Sequence, residues 1–327
     1  MPMKLQRRRL LLGLYACELA LVLPLLGQAA DYANVKPIRM VVPFAPGGSS
    51  DVVGRLIGVK IAASLKQTVV VDNRSGAGGV IGADIVAKAA PDGYTLLLVD
   101  ALHIVSPLFN RNTLYDPIKD FTPISMIAKS PVFLACNNAF EAKTVADVIA
   151  LAQKEPGKVT SGISGSGSIV IEMMKLRGKV RLTLVPYKGA AQAVNDLVAG
   201  NINLMTATIA SYGAFVKSGR LRLLATSGPA RHPDYPDVPT FAEAGMPGVE
   251  YETWFGMMGP AKLPQSVSAT LGAAIADAIK EPDVRERFSR LALDPFFVGP
   301  REFNARVLRD NARWKKVAED AGIKPVE

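Results

Sequence analysis

An apolar run ends in a turn of glycine and serine at Val41-Val42-Pro43-Phe44-Ala45-Pro46-Gly47-Gly48-Ser49-Ser50-Asp51, and the order of the elements around it indicates the fold. Residues 38–42 are typical of a strand, and a helical pattern runs from about residue 50 to residue 65. The first turn of a helix presents unpartnered N–H groups and a partial positive charge, and glycine lets a ligand come close to them. The stretch therefore predicts an anion-binding junction.

Four more junctions along the chain have the same character. They cover residues 73–79, 162–168, 185–189 and 206–208, and most of them lie where a predicted strand gives way to a helix. Several such junctions that face one space would make an anion site built mainly of main chain.

Short β-rich runs alternate with helical patterns over the first part of the chain. Strands are predicted at residues 38–42, 68–72 and 94–99, with helices at about 50–65 and 79–89 between them. This order predicts a parallel sheet with helices on both faces. A second unit of the same kind follows, with predicted strands at residues 132–136, 159–163, 182–185, 202–205 and 221–226.

Helix signals define the rest of the chain. Thr144-Val145-Ala146-Asp147 resembles a capping box, with Asp in the usual Glu position. Pro264 and Pro300 each open a helical pattern in a C-terminal third that is predicted to be mostly helical. We expect this third to return to the first unit and to cover it. The predicted lobes are residues 31–130 with 229–327 for the first lobe, and residues 131–228 for the second, inserted lobe.

The N-terminus has the pattern of an export signal. Basic residues precede an apolar run at residues 10–26, and Gly27-Gln28-Ala29-Ala30 offers small residues for cleavage near its last two positions. The alternative is a retained membrane anchor, which Glu18 and Pro24 inside the run argue against. Residues 1–30 are therefore predicted to be a signal peptide, and the mature chain is predicted to lie in the periplasm.

The charge and the cysteines of the mature chain limit its partners. Loss of the signal lowers the formal net charge from +9 to +6. The remaining basic residues are dispersed, which predicts a mild bias toward anionic ligands rather than nucleic acid. Cys17 leaves with the signal, so Cys136 stands alone, and its apolar surroundings predict a buried strand thiol.

Catalytic and cofactor motifs are mostly absent. Residues 76–81 lack the third glycine of a dinucleotide fingerprint, and residues 162–168 lack the lysine of a phosphate loop. His103 and His232 have no metal-ligand neighbours at helical spacing. We expect no cofactor, no metal and no enzymatic activity.

For three side chains the sequence allows two interpretations of their role. Asp51, at the start of a helix, either satisfies N–H groups there or holds a ligand amine or a bridging water. His103 either lines a cleft or lies on a solvated loop. The ring of Phe44 either packs in the core or lies against a ligand.

The glycine-rich junctions and other motifs of this sequence, taken in their order along the chain, resemble those of the extracytoplasmic receptors of tripartite tricarboxylate transporters, also called the Bug family. The resemblance covers essentially the whole mature chain. The motifs that carry it are residues 43–51, 71–79, 92–97, 185–189, 237–245, 254–256 and 260–264. It implies an α/β, type II periplasmic-binding-protein fold, in which two lobes close on a small carboxylate held by backbone amides and waters.

The resemblance also implies ligand-binding roles for Phe44, Gly47, Gly48, Asp51, Gly165, Ser166, Gly167 and Ser168. We expect the first Gly-rich turn, the Gly-Ser loop and several strand ends to contribute. The expected ligand-binding residues are Phe44, Gly47, Gly48, Asp51, Ala101, Ser164, Gly165, Ser166, Gly167, Ser168, Tyr187, Thr206 and Thr208.

Two departures from the family pattern concern the second lobe. The family often has Phe-Asp where this chain has Thr206-Ala207, which argues against ligands that carry an amine. The segment from Gly165 to Gly189 is also a few residues shorter than usual, and its helix lacks the family's common histidine.

The resemblance implies a monomeric, non-catalytic receptor that delivers its carboxylate to integral membrane transporter subunits through transient contact. Two alternatives stay open at this point. One is a ligand-sensing subunit for a signalling protein, and the other is a periplasmic enzyme that uses Asp51 or His103.

Overall fold

The structure is a computed structural model, and it describes residues 35–109 and 113–320. The predicted signal peptide, residues 1–30, lies outside the described residues. Within the described ranges, no helix is both long and apolar enough to cross a membrane.

The first sheet has six strands in the order β11-β4-β10-β3-β1-β2. Its strands are β1 (Ile38–Val42), β2 (Val69–Asn73), β3 (Thr95–Asp100), β4 (Phe121–Pro131), β10 (Glu252–Pro260) and β11 (Asp294–Val298). β1 pairs in parallel with β2 and β3, as the β-α-β-α-β order predicted. β10 runs antiparallel between β3 and β4, so the complete sheet is mixed.

The second sheet has five strands in the order β7-β6-β8-β5-β9. Its strands are β5 (Phe133–Asn137), β6 (Thr160–Ile163), β7 (Thr183–Pro186), β8 (Leu204–Ala207) and β9 (Leu221–Thr226). β6 pairs in parallel with β7 and β8, whereas β5 runs antiparallel to both of its neighbours. The second sheet is therefore also mixed, where the sequence predicted a parallel unit.

Helices follow most of the strands. They are α1 (Ser49–Leu65), α2 (Val80–Ala87), α3 (Leu102–Phe109), α4 (Val145–Lys154), α5 (Ser168–Gly178), α6 (Ala190–Ala199), α7 (Ile209–Lys217), α8 (Gln265–Ala278), α9 (Pro282–Ser289) and α10 (Pro300–Asp320). Short 3₁₀ turns at Ala77–Gly79 and Gly165–Gly167 lead into α2 and α5. The sequence did not predict α3, α7 or α9.

Two glycines set how closely α1 lies on the first sheet. A Cβ at Gly54 would come within 3.2 Å of the side chains of Leu98 and Val42, so the helix axis can approach the strands only without one. Gly58, one turn later, faces Val69 in the same way. Val53, Ile57 and Ile61 of the same helix are fully buried. This packing fixes the N-terminus of α1 at the end of β1.

The chain passes between the two sheets at two neighbouring places. β4 ends at Pro131 and β5 begins at Phe133, while the return path leaves β9 after Thr226. Ser227 ties these crossings together, because its N–H donates to Val132 O at 2.7 Å and its Oγ accepts the Val132 N–H at 2.9 Å. We call Val132 and Ser227 the crossing pair. The division into two separate lobes stays a prediction.

Two local predictions are confirmed. Thr144 Oγ1 accepts the N–H of Asp147 at 3.1 Å, and the Asp147 carboxylate accepts the N–H of Thr144 at 2.9 Å, which completes the capping box at the start of α4. Cys136 is a free thiol buried on β5. Burial raises the pKa of this thiol, as expected for an unreactive core cysteine.

Candidate functional site

A small cavity of about 40 Å³ lies where the ends of the two sheets meet. We call it the polar cavity. The residues that line it are Phe44, Gly48, Ser49, Ser50, Asp100, Ser164, Gly165, Ser166, Gly167, Ala190, Ala207, Thr208, Ser211 and Phe255. These residues come from both sheets and from the junctions that the sequence singled out.

Helix N-termini from both sides of the molecule converge on the polar cavity. Gly48, Gly167 and Thr208 are the N-cap residues of α1, α5 and α7, and Ala190 is the first residue of α6. No side chain makes a capping hydrogen bond at the N-caps of these four helices, which are Gly48, Gly167, Gly189 and Thr208. The first N–H groups of a helix have no carbonyl partner within that helix. The wall is therefore rich in main-chain donors and carries partial positive charge.

The Gly-Ser turn before α5 is held by contacts that only glycine permits. A Cβ at Gly167 would lie 2.2 Å from the carbonyl oxygen of Thr206, closer than any real side chain allows. Thr206 is 1% exposed, and its Oγ1 donates to the Gly167 carbonyl at 2.7 Å. Thr206 therefore fixes the turn from behind and is not part of the cavity wall.

The two sides of the cleft touch each other directly. Ser49 Oγ, at the start of α1, lies 2.6 Å from Thr208 Oγ1 and 3.1 Å from Ser211 Oγ across the cleft. The Ala45 N–H donates to the carbonyl of Lys188 at 3.2 Å. These contacts describe a closed arrangement, which accounts for the small volume of the polar cavity.

Asp51 supports the first turn from within. Its carboxylate accepts the N–H of Gly47 at 3.0 Å, Nδ2 of Asn73 at 3.0 Å and Nε of Arg55 at 3.1 Å. Burial raises the pKa of Asp51, but the hydrogen bonds from Arg55, Gly47 and Asn73 outweigh it and hold the pKa below its ordinary value. Asp51 does not line the polar cavity, and its contacts are those of the turn-stabilising interpretation.

Asp100 is the ionisable side chain on the wall of the polar cavity, among the described residues. It is 4% exposed. Oδ1 accepts the N–H of Leu102 at 2.9 Å, and Oδ2 accepts the N–H of Ser166 at 3.3 Å across the cleft. Burial raises the pKa of Asp100 to about 6, although both hydrogen bonds oppose the rise.

The expected ligand-binding residues divide into three groups. Those on the wall of the polar cavity are Phe44, Gly48, Ser164, Gly165, Ser166, Gly167 and Thr208. Ser168 and Tyr187 line a second cavity instead. Gly47, Asp51, Ala101 and Thr206 line neither of these two cavities. Ligand contact stays a prediction for all thirteen.

The sequence missed several residues of the polar cavity. They are Ser49, Ser50, Asp100, Ala190, Ala207, Ser211 and Phe255. Asp100 ends β3, and ligands of α/β proteins bind near the carboxyl ends of parallel strands, so its position was a usable signal. Phe255 lies within a strand that was not predicted, although residues 254–256 form one of the family motifs, and Ser211 lies within α7 and had no local signal.

The second cavity, of about 560 Å³, adjoins the polar cavity at Phe44, Ser164 and Gly165. We call it the apolar cavity. Its apolar wall includes Leu102, Val105, Ile163, Ile169, Met173, Leu176, Trp314 and Val317. Tyr187 donates a hydrogen bond to Asp196 at 2.6 Å and so presents its ring to this space. The ring of Phe44 thus lies between a polar and an apolar compartment.

His103 is placed away from both cavities. It is 7% exposed and stacks on the ring of Tyr115, with 5.1 Å between centroids, while Phe121 packs against it edge-on. Burial lowers the pKa of His103 to about 4, so the ring is neutral at neutral pH. Its surroundings are those of a core aromatic residue, which neither of the sequence interpretations described.

Comparison with known proteins agrees with this arrangement. The sequence profile described as "Tripartite tricarboxylate transporter family receptor" matches residues 53–323. Protein BugT of Bordetella pertussis is 32% identical over 330 residues, which cover 98% of this chain and 99% of BugT.

Two solved structures have the same fold. The periplasmic binding protein BugD matches with a TM-score of 0.86 and 30% identity, over 89% of this chain and 99% of that chain. An R. palustris protein solved with adipate matches with a TM-score of 0.85 and 33% identity, over 89% and 99% of the two chains. The expected periplasmic-binding-protein fold is confirmed, and the chain belongs to the tripartite tricarboxylate transporter receptor (Bug) family of solute-binding proteins.

Proposed function

We propose that this chain is an exported receptor that closes around a small carboxylate and delivers it to a tripartite tricarboxylate-type transporter. The observation that carries the proposal is the convergence on one cavity of the N-termini of α1, α6 and α7 and of the 3₁₀ turn that leads into α5. Such termini favour an anion, and the described residues of the wall include no lysine, arginine or histidine. The adipate bound by the R. palustris relative is a carboxylate, which supports the same chemistry.

Closure is the step that would link binding to delivery. Because donors from both sheets line one cavity, a ligand contacts all of them only when the cleft is shut. A ligand shifts a conformational equilibrium only by its different affinity for the two states, and this arrangement supplies that difference. A membrane partner would then recognise the shut form through transient contact. The receptor would act in the periplasm as a monomer and without catalysis.

A close contact across the cleft provides a direct test of closure around the ligand. A Cβ at Gly189 would lie 2.5 Å from Ala45 Cβ, so the added methyl group of Gly189→Ala should prevent the cleft from closing fully. The φ of −168° at Gly189 is accessible to alanine, so we expect the variant to fold normally. Titration calorimetry with a panel of mono-, di- and tricarboxylates should show at least about tenfold weaker binding, the loss expected for one charge-assisted hydrogen bond.

Gly299→Ala is the matched control, because no atom lies within 4 Å of a Cβ built at that position. It should bind like the unaltered protein. Unchanged affinity in Gly189→Ala would contradict closure around the ligand. Delivery is tested separately by deleting the gene and measuring uptake of the carboxylate that calorimetry identifies, and undiminished uptake would argue against the transport role.

A further inference from the structure

The proposed function does not explain how the negative charge of the buried Asp100 side chain is stabilised. A site built to attract a carboxylate holds a carboxylate of its own, 4% exposed, on its wall. None of the ion pairs of the described residues involves Asp100, which contrasts with Asp51 and its partner Arg55. An ionised group in such a position normally has a countercharge, because burial without one is costly.

Over residues 35–109 and 113–320, the polar groups that interact with Asp100 do not provide that countercharge. They are the amide and hydroxyl of Ser166, the amide of Leu102 and the phenols of Tyr115 and Tyr251. Burial and the charge of Asp100 raise the pKa of both tyrosines, so they are neutral at neutral pH. Two N–H groups donate to the carboxylate, which orients it as an anion but leaves its charge uncompensated.

The geometry leaves one face of the carboxylate open to the cavity. Gly165 lies beside Oδ2, and a Cβ at that position would be 3.4 Å from the oxygen, so any larger side chain would cover it. The φ of +63° at Gly165 also favours glycine there. On the opposite wall Ala207 has no polar side chain to offer. The open carboxylate and the uncapped helix N-termini therefore border the same space of about 40 Å³.

We propose that Asp100 is the contact for a positively charged amine of the ligand, so that the receptor selects amino carboxylates over plain carboxylates. The inference rests on the proposed function, because the helix N-termini must hold the ligand's carboxylate. In an α-amino acid one carbon separates the ammonium from the carboxylate. Opposite charges this close suit a small cavity whose wall is positive at the helix ends and negative at Asp100. The amine supplies a countercharge that the described residues do not.

A ligand amine at Asp100 is the opposite of what Thr206-Ala207 led us to expect. The absence of an acid at Thr206-Ala207 argued against ligands that carry an amine. In the structure the acid comes from β3 of the first sheet rather than from β8 of the second, and it borders the same cavity as Ala207.

Matched ligand pairs test the inference. Titration calorimetry at neutral pH would compare aspartate with succinate, glutamate with glutarate, and phenylalanine with 3-phenylpropionate. We expect at least one amino acid to bind about 10- to 100-fold more tightly than its deaminated partner, the range for one charge-assisted contact. The Asp100→Asn variant should lose that preference. Asp277→Asn, which removes an exposed carboxylate, is the control and should keep it.

The outcomes separate the two proposals. If no pair member binds but another carboxylate of the calorimetric panel does, only the role of Asp100 is overturned, and if no carboxylate of the panel binds, carboxylate reception itself is contradicted. If a plain carboxylate binds as tightly as its amino partner, or if Asp100→Asn weakens both members equally, only the role of Asp100 is overturned. The comparison within pairs needs no variant, so it decides the question even if Asp100→Asn fails to fold.

Discussion

The carboxylate of Asp100 is buried, and its burial affects the stability of the protein as well as the binding of a ligand. Its pKa in the folded protein is raised to about 6 from an ordinary value of 3.8, because burial penalises the charged form. The folded state therefore binds more protons than the unfolded state between these values. By linkage, the free energy of unfolding falls as pH rises through that range.

This effect can be measured without a ligand. Between about pH 4 and pH 7, the ligand-free protein should lose about 3 kcal/mol of unfolding free energy relative to Asp100→Asn. Urea denaturation across this range would show it as a widening difference between the two proteins. Asp277→Asn should follow the unaltered protein, because its carboxylate is exposed. Parallel pH profiles for all three would contradict an ionised, uncompensated Asp100.

Single residues of the site were predictable where local chemistry defined them. Gly48, Gly165 and Gly167 stand out in the sequence because strand-to-helix turns need glycine, and all three border the polar cavity. The position of Thr206 behind the turn, and that of Ser211 inside a helix, depend on tertiary packing. No local pattern encodes which face of a helix meets the opposite sheet.

At the scale of elements, the crossing pair joins segments that are far apart in sequence. Ser227 Oγ accepts the N–H of Val132 and donates to the carbonyl of Tyr251 at 2.5 Å, and the serine is 1% exposed. Removal of the hydroxyl leaves a buried donor without a partner.

We expect Ser227→Ala to lower the free energy of unfolding by about 1–3 kcal/mol. Urea denaturation would measure the loss. Ser289→Ala, at an exposed serine at the end of α9, is the control and should change stability by less than about 0.5 kcal/mol. Equal stability of the two variants would show that the crossing pair contributes little to the fold.

Element boundaries followed hydrophobic patterns closely where the strands are short and bounded by turns. β1 and β9 have the predicted ends, and most other strands differ from the prediction by one or two residues. β4, β10 and β11 were missed. β10 is buried along nearly its whole length and so lacks alternation, and β4 contains Pro123, which argues against a strand. Antiparallel pairing across a long connection also leaves no local signal.

For the whole molecule, ligand binding should appear as added stability. A ligand that binds only the folded state, at 100 times its dissociation constant, should add about 2.7 kcal/mol to the free energy of unfolding. Chemical denaturation with the tightest carboxylate from the calorimetric panel would measure this. At the same ligand concentration, Gly189→Ala should gain less than Gly299→Ala. An equal gain in both variants would speak against a cleft that must shut to bind.

The makeup of the polar cavity wall also limits how this receptor can be redesigned as a biosensor. Main-chain amides supply some of its donors, and a mutant library cannot delete a peptide bond. The positions that a library can change are the side chains of this wall, chiefly Phe44, Asp100 and the hydroxyls of Ser49, Ser164, Ser166, Thr208 and Ser211, since Gly167 tolerates nothing larger. Substitution at these positions can change which anion binds, whereas every variant keeps the main-chain amides.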